Sequence, residues 1–350
     1  MPKIAIIGTT SWGKTLGVVL AREGLEVRLW ARTEREAIAL RNSGPNPTLL
    51  PGVTLPPQLS ITSSLSEALA EVKAVILVVP SQTMRQNIKL VAGHLNKLML
   101  IVSAAKGLEI GSNKRMSQVI AEEIDPQFWS NICVLSGPNL SREILHDLPA
   151  ASVVAAENEA VARIARQLLT VPNLCIYTNT DVTGVELGGA LKNIIALGAG
   201  MADGLGYGDN AKAAFMTRGL TEMAALGVAL GANPLTFSGL AGLGDLIATC
   251  ASPLSRNHYV GVELTKGRSL KEITDSMTGV AEGVTTTIVA WNLAQAAGLE
   301  MPITEKIYQV LYGGLDPRQG AVALMAAEAR HELAGRKWKL FSFFRHQQRS

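Results

Sequence analysis

Lys3-Ile4-Ala5-Ile6-Ile7-Gly8-Thr9-Thr10-Ser11-Trp12-Gly13-Lys14-Thr15 is the stretch that decides how the rest of this chain is read. Four apolar residues in succession after Lys3 make the run expected of a strand covered on both faces. Gly8 and Gly13 then frame a turn that opens a helix. A helix start offers free backbone N–H groups and the positive end of its dipole to an anion. Read literally, Gly8 to Thr15 satisfies G-x-x-x-x-G-K-S/T, the triphosphate-binding loop. It also keeps the first and last glycines of the dinucleotide fingerprint G-x-G-x-x-G, with Thr10 in place of the middle one. Phosphate binding is therefore better supported than either class of nucleotide.

Two further features favour a dinucleotide. A triphosphatase holds magnesium with an aspartate ending a nearby apolar strand, whereas the best candidate run, 74–79, ends in Pro80 and Ser81. The spacing to a second strand at Glu26–Trp30 suits a compact βαβ unit, whose second strand ends where the adenosine ribose is read. Arg32 stands there, with Thr33 beside it, where a free 2′-hydroxyl usually meets an acid. A guanidinium pairs well with a 2′-phosphate, so NADPH is expected to be accepted alongside NADH. The plain alternative for Arg32 is a solvated surface residue.

At 350 residues the chain is too long for one core, and about 150 residues per domain suggests two. A composition 47% hydrophobic and 17% charged marks an ordinary globular protein. The net charge of +3, from 32 basic and 29 acidic residues, gives no ground for a nucleic-acid partner. Cys133, Cys175 and Cys250 are far apart and read as free thiols of a reducing compartment. Met1-Pro2-Lys3 leads straight into the first strand, so no secretory leader is expected and the location is read as cytoplasmic. Lys192, Asn193 and Asp203 interrupt the longest apolar helical run, so no transmembrane span is expected. The five histidines lack metal-ligand spacing, and no metal is expected.

Strand runs at Lys3–Ile7, Glu26–Trp30, 74–79, 98–103, 131–135, 151–155 and 174–177 alternate with helix-period stretches. Residues 43–59, with Pro45, Pro47, Pro51, Pro56 and Pro57, read as a long loop. Beyond Asp181 the strands vanish. The expected architecture is α/β, a Rossmann-type dinucleotide-binding domain (1–180) with a mostly parallel sheet, followed by an all-helical substrate domain (181–330). A basic amphipathic tail (331–350) with Arg336, Lys337, Lys339, Trp338 and Phe341 reads as docked on its own domain or solvated, in preference to a membrane-surface segment. The helix at 181–201 carries Gly184, Gly188, Gly189, Gly198 and Gly200, each less favourable than alanine by about 1 kcal/mol, so it needs close-packed neighbours.

The later segments are more specific. They are Ala105-Lys106-Gly107-Leu108-Glu109, Ser136-Gly137-Pro138-Asn139, Glu186-Leu187-Gly188-Gly189-Ala190-Leu191-Lys192-Asn193, Gly242-Leu243-Gly244-Asp245-Leu246, Ser255-Arg256-Asn257, Glu282-Gly283 and Met301-Pro302-Ile303-Thr304-Glu305. In this order they make the chain resemble the bacterial NAD(P)-dependent glycerol-3-phosphate dehydrogenase family over residues 1–328. The resemblance implies that dihydroxyacetone phosphate and sn-glycerol 3-phosphate are interconverted with NADPH or NADH, for glycerophospholipid synthesis; a homodimer is also expected.

By the same resemblance Lys192 is the general acid/base. Lys106, Gly137, Asn139, Asp245, Ser255, Arg256 and Asn257 bind substrate along with it. Gly8, Ser11, Trp12, Gly13, Arg32, Lys106, Ser141, Arg256, Val280 and Glu282 bind the coenzyme. The chemistry of these residue types agrees, and Asp245 could accept from a substrate hydroxyl or orient Lys192. A desolvated lysine near a second cation can serve as acid and base, and Ser-Arg-Asn offers a phosphate dianion one guanidinium and two neutral donors. Each has a plain alternative: a snorkelling Lys192, a helix cap at Ser255 or Asp245, an exposed acid at Glu282. Thr10, Lys14 and Asn139 depart from the family pattern, and the side chain of Thr10 must turn away if a pyrophosphate is to reach the backbone.

Overall fold

The structure, a computed structural model, describes residues 2–42 and 54–326. In strand β1 (Lys3–Ile7), Ile4 and Ile6 join one apolar cluster with Leu16, Val19 and Leu20 of helix α1 (Ser11–Arg22). Ala5 and Ile7 join Met84, Ile88 and Val91 on the opposite face. Side chains alternate along a strand, so a sheet clad on both sides requires apolar residues at every position. Each fully buried aliphatic side chain contributes about 1.5–3 kcal/mol.

The remaining strands are β2 (Glu26–Trp30), β3 (Leu59–Thr62), β4 (Ala74–Leu77), β5 (Leu100–Ser103), β6 (Ile132–Ser136), β7 (Ala150–Ala155) and β8 (Leu174–Asn179). They form one sheet in the order β3-β2-β1-β4-β5-β6-β7-β8, parallel except where β6 meets β7. Its first six strands follow 3-2-1-4-5-6, the doubly wound order of dinucleotide-binding domains. The triphosphate-loop alternative loses its ground here. Lys14 is buried in α1 beside Glu36, and Pro80 and Ser81 follow the end of β4.

One expectation needs correction. The loop read at 43–59 ends in β3, a four-residue edge strand paired with β2 through Val27 and Leu59. Pro56 and Pro57 masked it, and with four residues it has no room for a periodic signal. Residues 43–53 of that loop, and the tail at 331–350, lie outside the described residues.

Asp181 caps the helix Val182–Gly204, accepting from Gly184 N at 2.8 Å. Residues Gly184 to Ala202 of this helix are buried on every side, as an apolar, glycine-rich helix must be. The carboxylate of Glu186 ties it to the sheet domain, accepting from Ser117 N at 2.7 Å in the first turn of helix Met116–Glu123 and from the Arg115 guanidinium. Its glycines admit close neighbours: a Cβ on Gly200 would lie 2.0 Å from the carbonyl oxygen of His258, on helix Arg256–Thr265. Gly200→Ala is therefore expected to push these two helices apart and destabilise the fold by about 1–3 kcal/mol, read as a Tm lower by several degrees in thermal denaturation. An unchanged Tm would show that the helices can separate freely.

Candidate active site

The carboxyl ends of the central strands carry the glycine turn. Gly8 has φ +113°, and a Cβ there would lie 2.5 Å from Val78 O. Thr10 caps α1: its hydroxyl accepts from Gly13 N at 3.1 Å and donates to Val78 O at 3.0 Å. The extra side chain thus folds back toward the end of β4, away from the mouth of the turn. The N–H groups of Ser11 and Trp12 have no partner among the described residues, and the buried indole Nε1 of Trp12 has none either. A backbone held this close, with unclaimed donors at a helix start, fits a dinucleotide pyrophosphate. Arg32 lies exposed just beyond β2, with its guanidinium 3.4 Å from Gln86 Oε1 and 3.3 Å from Asn87 Oδ1.

Three segments far apart in the chain meet at one carboxylate. Asp245 follows a π-helical turn, Leu240–Gly244, and opens helix Asp245–Ala251. Its Oδ1 lies 2.7 Å from Lys192 Nζ and its Oδ2 lies 2.8 Å from Lys106 Nζ. Asp245 is therefore a counter-ion, and Gly244 takes the cap position instead. Lys106 also donates to Gly137 O and Asn139 Oδ1, both at 2.8 Å, so its three N–H bonds are all engaged. Lys192, buried in the central helix, touches Asp245 and the Thr249 hydroxyl. One of its three N–H bonds has no partner among the described residues. Gly189 lets the end of β6 and the stem of Lys106 close on this helix, since a Cβ there would lie 2.4 Å from Ser136 Oγ and 3.5 Å from Lys106 Cγ. Burial pulls the Lys106 ammonium down to about 8; Asp245 resists the shift and Lys192 adds to it.

A second group lies nearby. Glu282, at the start of helix Glu282–Ala296, accepts from Ser81 N at 2.9 Å and from the Ser81 hydroxyl, and so crosses from the helical domain to the end of β4. It is half-buried, which corrects the exposed-acid alternative; desolvation raises its carboxyl above the ordinary range, against the Ser81 hydrogen bonds. Arg256 packs against Gly279 and opens to solvent. Its guanidinium makes no hydrogen bond or ion pair with any described residue, a donor fork without an acceptor. Desolvation lowers it from its ordinary value, and Glu282 opposes that.

Asn257 bridges two helices, donating to Asn193 Oδ1 and accepting from Gly283 N, both at 2.9 Å. Ser255 caps helix Arg256–Thr265, accepting from His258 N at 3.2 Å, as its plain alternative has it. Ser141 opens the helix Ser141–Leu145, and Val280 is exposed without a polar contact of its own.

Three residues of these groups were not given a role from the sequence: Thr249, Asn193 and Ser81. Thr249 lies one helical turn beyond Asp245, a spacing that could have revealed it. Among the described residues, no set of three or more His, Cys, Asp or Glu could hold a metal ion, and no helix is long and apolar enough to cross a membrane.

Doubly wound sheet, glycine turn and paired ammonium groups together define a nicotinamide-dinucleotide-dependent oxidoreductase of two unlike domains. The chain belongs to the NAD-dependent glycerol-3-phosphate dehydrogenase family, whose N-terminal model matches residues 3–162 and whose C-terminal model matches residues 181–321. It is 64% identical over 346 residues to a glycerol-3-phosphate dehydrogenase (NAD(P)+) of Dehalococcoides mccartyi, covering 99% of this chain and 96% of that one. Identity to the enzyme of that name from Moorella thermoacetica is 48%, covering 96% and 99%. The crystal structure of glycerol-3-phosphate dehydrogenase from Coxiella burnetii matches with a TM-score of 0.87 at 35% identity, over 93% of this chain and 99% of that one.

Proposed function

We propose that this protein reduces dihydroxyacetone phosphate reversibly to sn-glycerol 3-phosphate, with Lys192 as the general acid and Arg256 as the phosphate anchor. Residues 1–180 carry the coenzyme and 181–330 the substrate. The observation that carries this reading is the division of labour around Asp245. Lys106 has spent its three N–H bonds on protein acceptors, while Lys192 keeps one for a substrate oxygen.

The first turn of α1 would hold the pyrophosphate, with Arg32 at the adenosine end and Lys106, Ser141, Arg256, Val280 and Glu282 along the remainder. Bound NADPH or NADH supplies the hydride that the carbonyl carbon receives. Lys192 donates its free proton to the developing alkoxide, and in reverse accepts it from the hydroxyl. Asp245 holds the two ammonium groups in place, so positive charge is already oriented where negative charge develops. Arg256 supplies an unpaired guanidinium, and Asn257, tied to Asn193 and Gly283, fixes the backbone beside it. The family resemblance supports a cytoplasmic homodimer whose product, a phosphorylated glycerol with two free hydroxyls, is acylated to glycerophospholipid.

The decisive assay follows coenzyme oxidation with dihydroxyacetone phosphate against a panel of unphosphorylated carbonyls. The phosphorylated ketone is expected to be reduced best, and a better unphosphorylated substrate would remove the assignment. Arg256→Ala is expected to raise KM for dihydroxyacetone phosphate by about 100-fold or more through loss of a charged fork, measured by steady-state kinetics.

Lys106 makes the reaction pH-dependent. Below about 8 its amine is charged and attracts the dianion; above that value the charge is lost. Substrate KM is therefore expected to rise as pH climbs through about 8, and Lys106→Arg should move that rise to higher pH. An unmoved profile would exclude Lys106 as its source.

A further inference from the structure

Lys14 and Glu36 lie outside the groups already described, beside the carboxyl ends of β1 and β2. Glu36 is on helix α2 (Glu34–Asn42), and its carboxylate accepts from the Thr9 hydroxyl of the glycine turn and, at 3.0 Å, from Arg32 N just beyond β2. Strands β1 and β2 are adjacent and parallel, with Ile7 opposite Trp30. The carboxylate thus bridges their two carboxyl ends, where the ribose of a dinucleotide is read. Each oxygen has one donor and room for another.

Lys14 lies five residues beyond Thr9, whose hydroxyl Glu36 holds. It sits in the first turn of α1, 6% exposed, and its amine has no hydrogen-bond or ion-pair partner among the described residues. Burial lowers its pKa, and the charge opposing that shift is Glu36. A mostly buried side chain whose amine is left without a protein partner keeps that charge available to an anion at the start of α1.

We propose that Lys14 and Glu36 set coenzyme selectivity: Glu36 accepts from the free ribose hydroxyl of NADH, and Lys14 offsets the charge of Glu36 so that Arg32 can take the 2′-phosphate of NADPH. Without Lys14, the Glu36 carboxylate would repel a 2′-phosphate with only Arg32 to oppose it. With it, Lys14 and Arg32 outnumber Glu36 and the site carries a net positive charge. The inference rests on the dehydrogenase reading but concerns only which coenzyme is preferred.

The test is coenzyme binding in the absence of substrate, by fluorescence titration of the full-length protein with NADH and with NADPH. Lys14→Met, close in shape and uncharged, is expected to raise Kd for NADPH about tenfold and for NADH less than about twofold. Glu36→Gln should do the reverse, weakening NADH and tightening NADPH by about three- to tenfold. Glu36 is half-buried on a surface helix, so its amide variant gives an answer even if Lys14→Met folds poorly. A Kd ratio unmoved by Glu36→Gln, or equal effects on both coenzymes from either variant, overturns the proposal. Failure of the wild-type protein to bind either coenzyme would instead overturn the dehydrogenase reading.

Discussion

Replacing Lys192 with alanine is expected to lower kcat for dihydroxyacetone phosphate reduction by about 10³-fold while Kd for NADPH stays within about twofold. The size follows from removing the one amine with a free proton. Lys106 cannot substitute, because Gly137, Asn139 and Asp245 occupy its donors. Folding should survive: Asp245 keeps Lys106 as its partner, and the pair left behind is neutral. Steady-state kinetics combined with coenzyme titration separates loss of chemistry from loss of binding. A Lys192→Ala protein that binds NADPH and turns over at the wild-type rate would end the acid/base assignment.

Asp245→Asn is expected to have the second large effect, on stability as well as turnover. Asp245 is 2% exposed and is the carboxylate that both ammonium groups share. An amide leaves them near each other with no counter-ion, and removing one partner of a buried ion pair costs about 3–5 kcal/mol. The deficit should depend on pH. A lysine whose folded pKa lies below its unfolded value of about 10.4 binds fewer protons when folded, so stability rises with pH between the two values. In the wild-type protein that window for Lys106 opens at about 8. In the variant, which lacks the Asp245 charge that resists the shift, it should open lower. Urea unfolding at neutral pH and near pH 10 checks this: the difference from wild type should shrink at the higher pH. A constant difference would mean that the loss has another cause.

The sheet and its glycine turn were largely legible because their signals are local. An unbroken apolar run between charged or polar ends marks each central strand, and Gly8 and Gly13 stand five residues apart beside the first of them. Where the local signal failed, a short edge strand followed two prolines and β3 was missed. Helix Val182–Gly204 was legible from its composition, but its register against the sheet was not. That register depends on Glu186 reaching the start of helix Met116–Glu123, 69 residues away in sequence at Ser117.

By itself the sequence determined the strand and helix periods, the anion-ready turn after β1, and the residue types at each later motif, since these depend on neighbours along the chain. Tertiary structure alone decided that Asp245 serves both lysines, that Lys106 is saturated and Lys192 is not, and that Glu282 reaches Ser81. The partners in these contacts are separated by 139 residues for Lys106 and Asp245 and by 201 for Ser81 and Glu282. Charge pairing and donor saturation depend on distances of a few ångströms, and separation along the chain carries no information about them until the two domains pack.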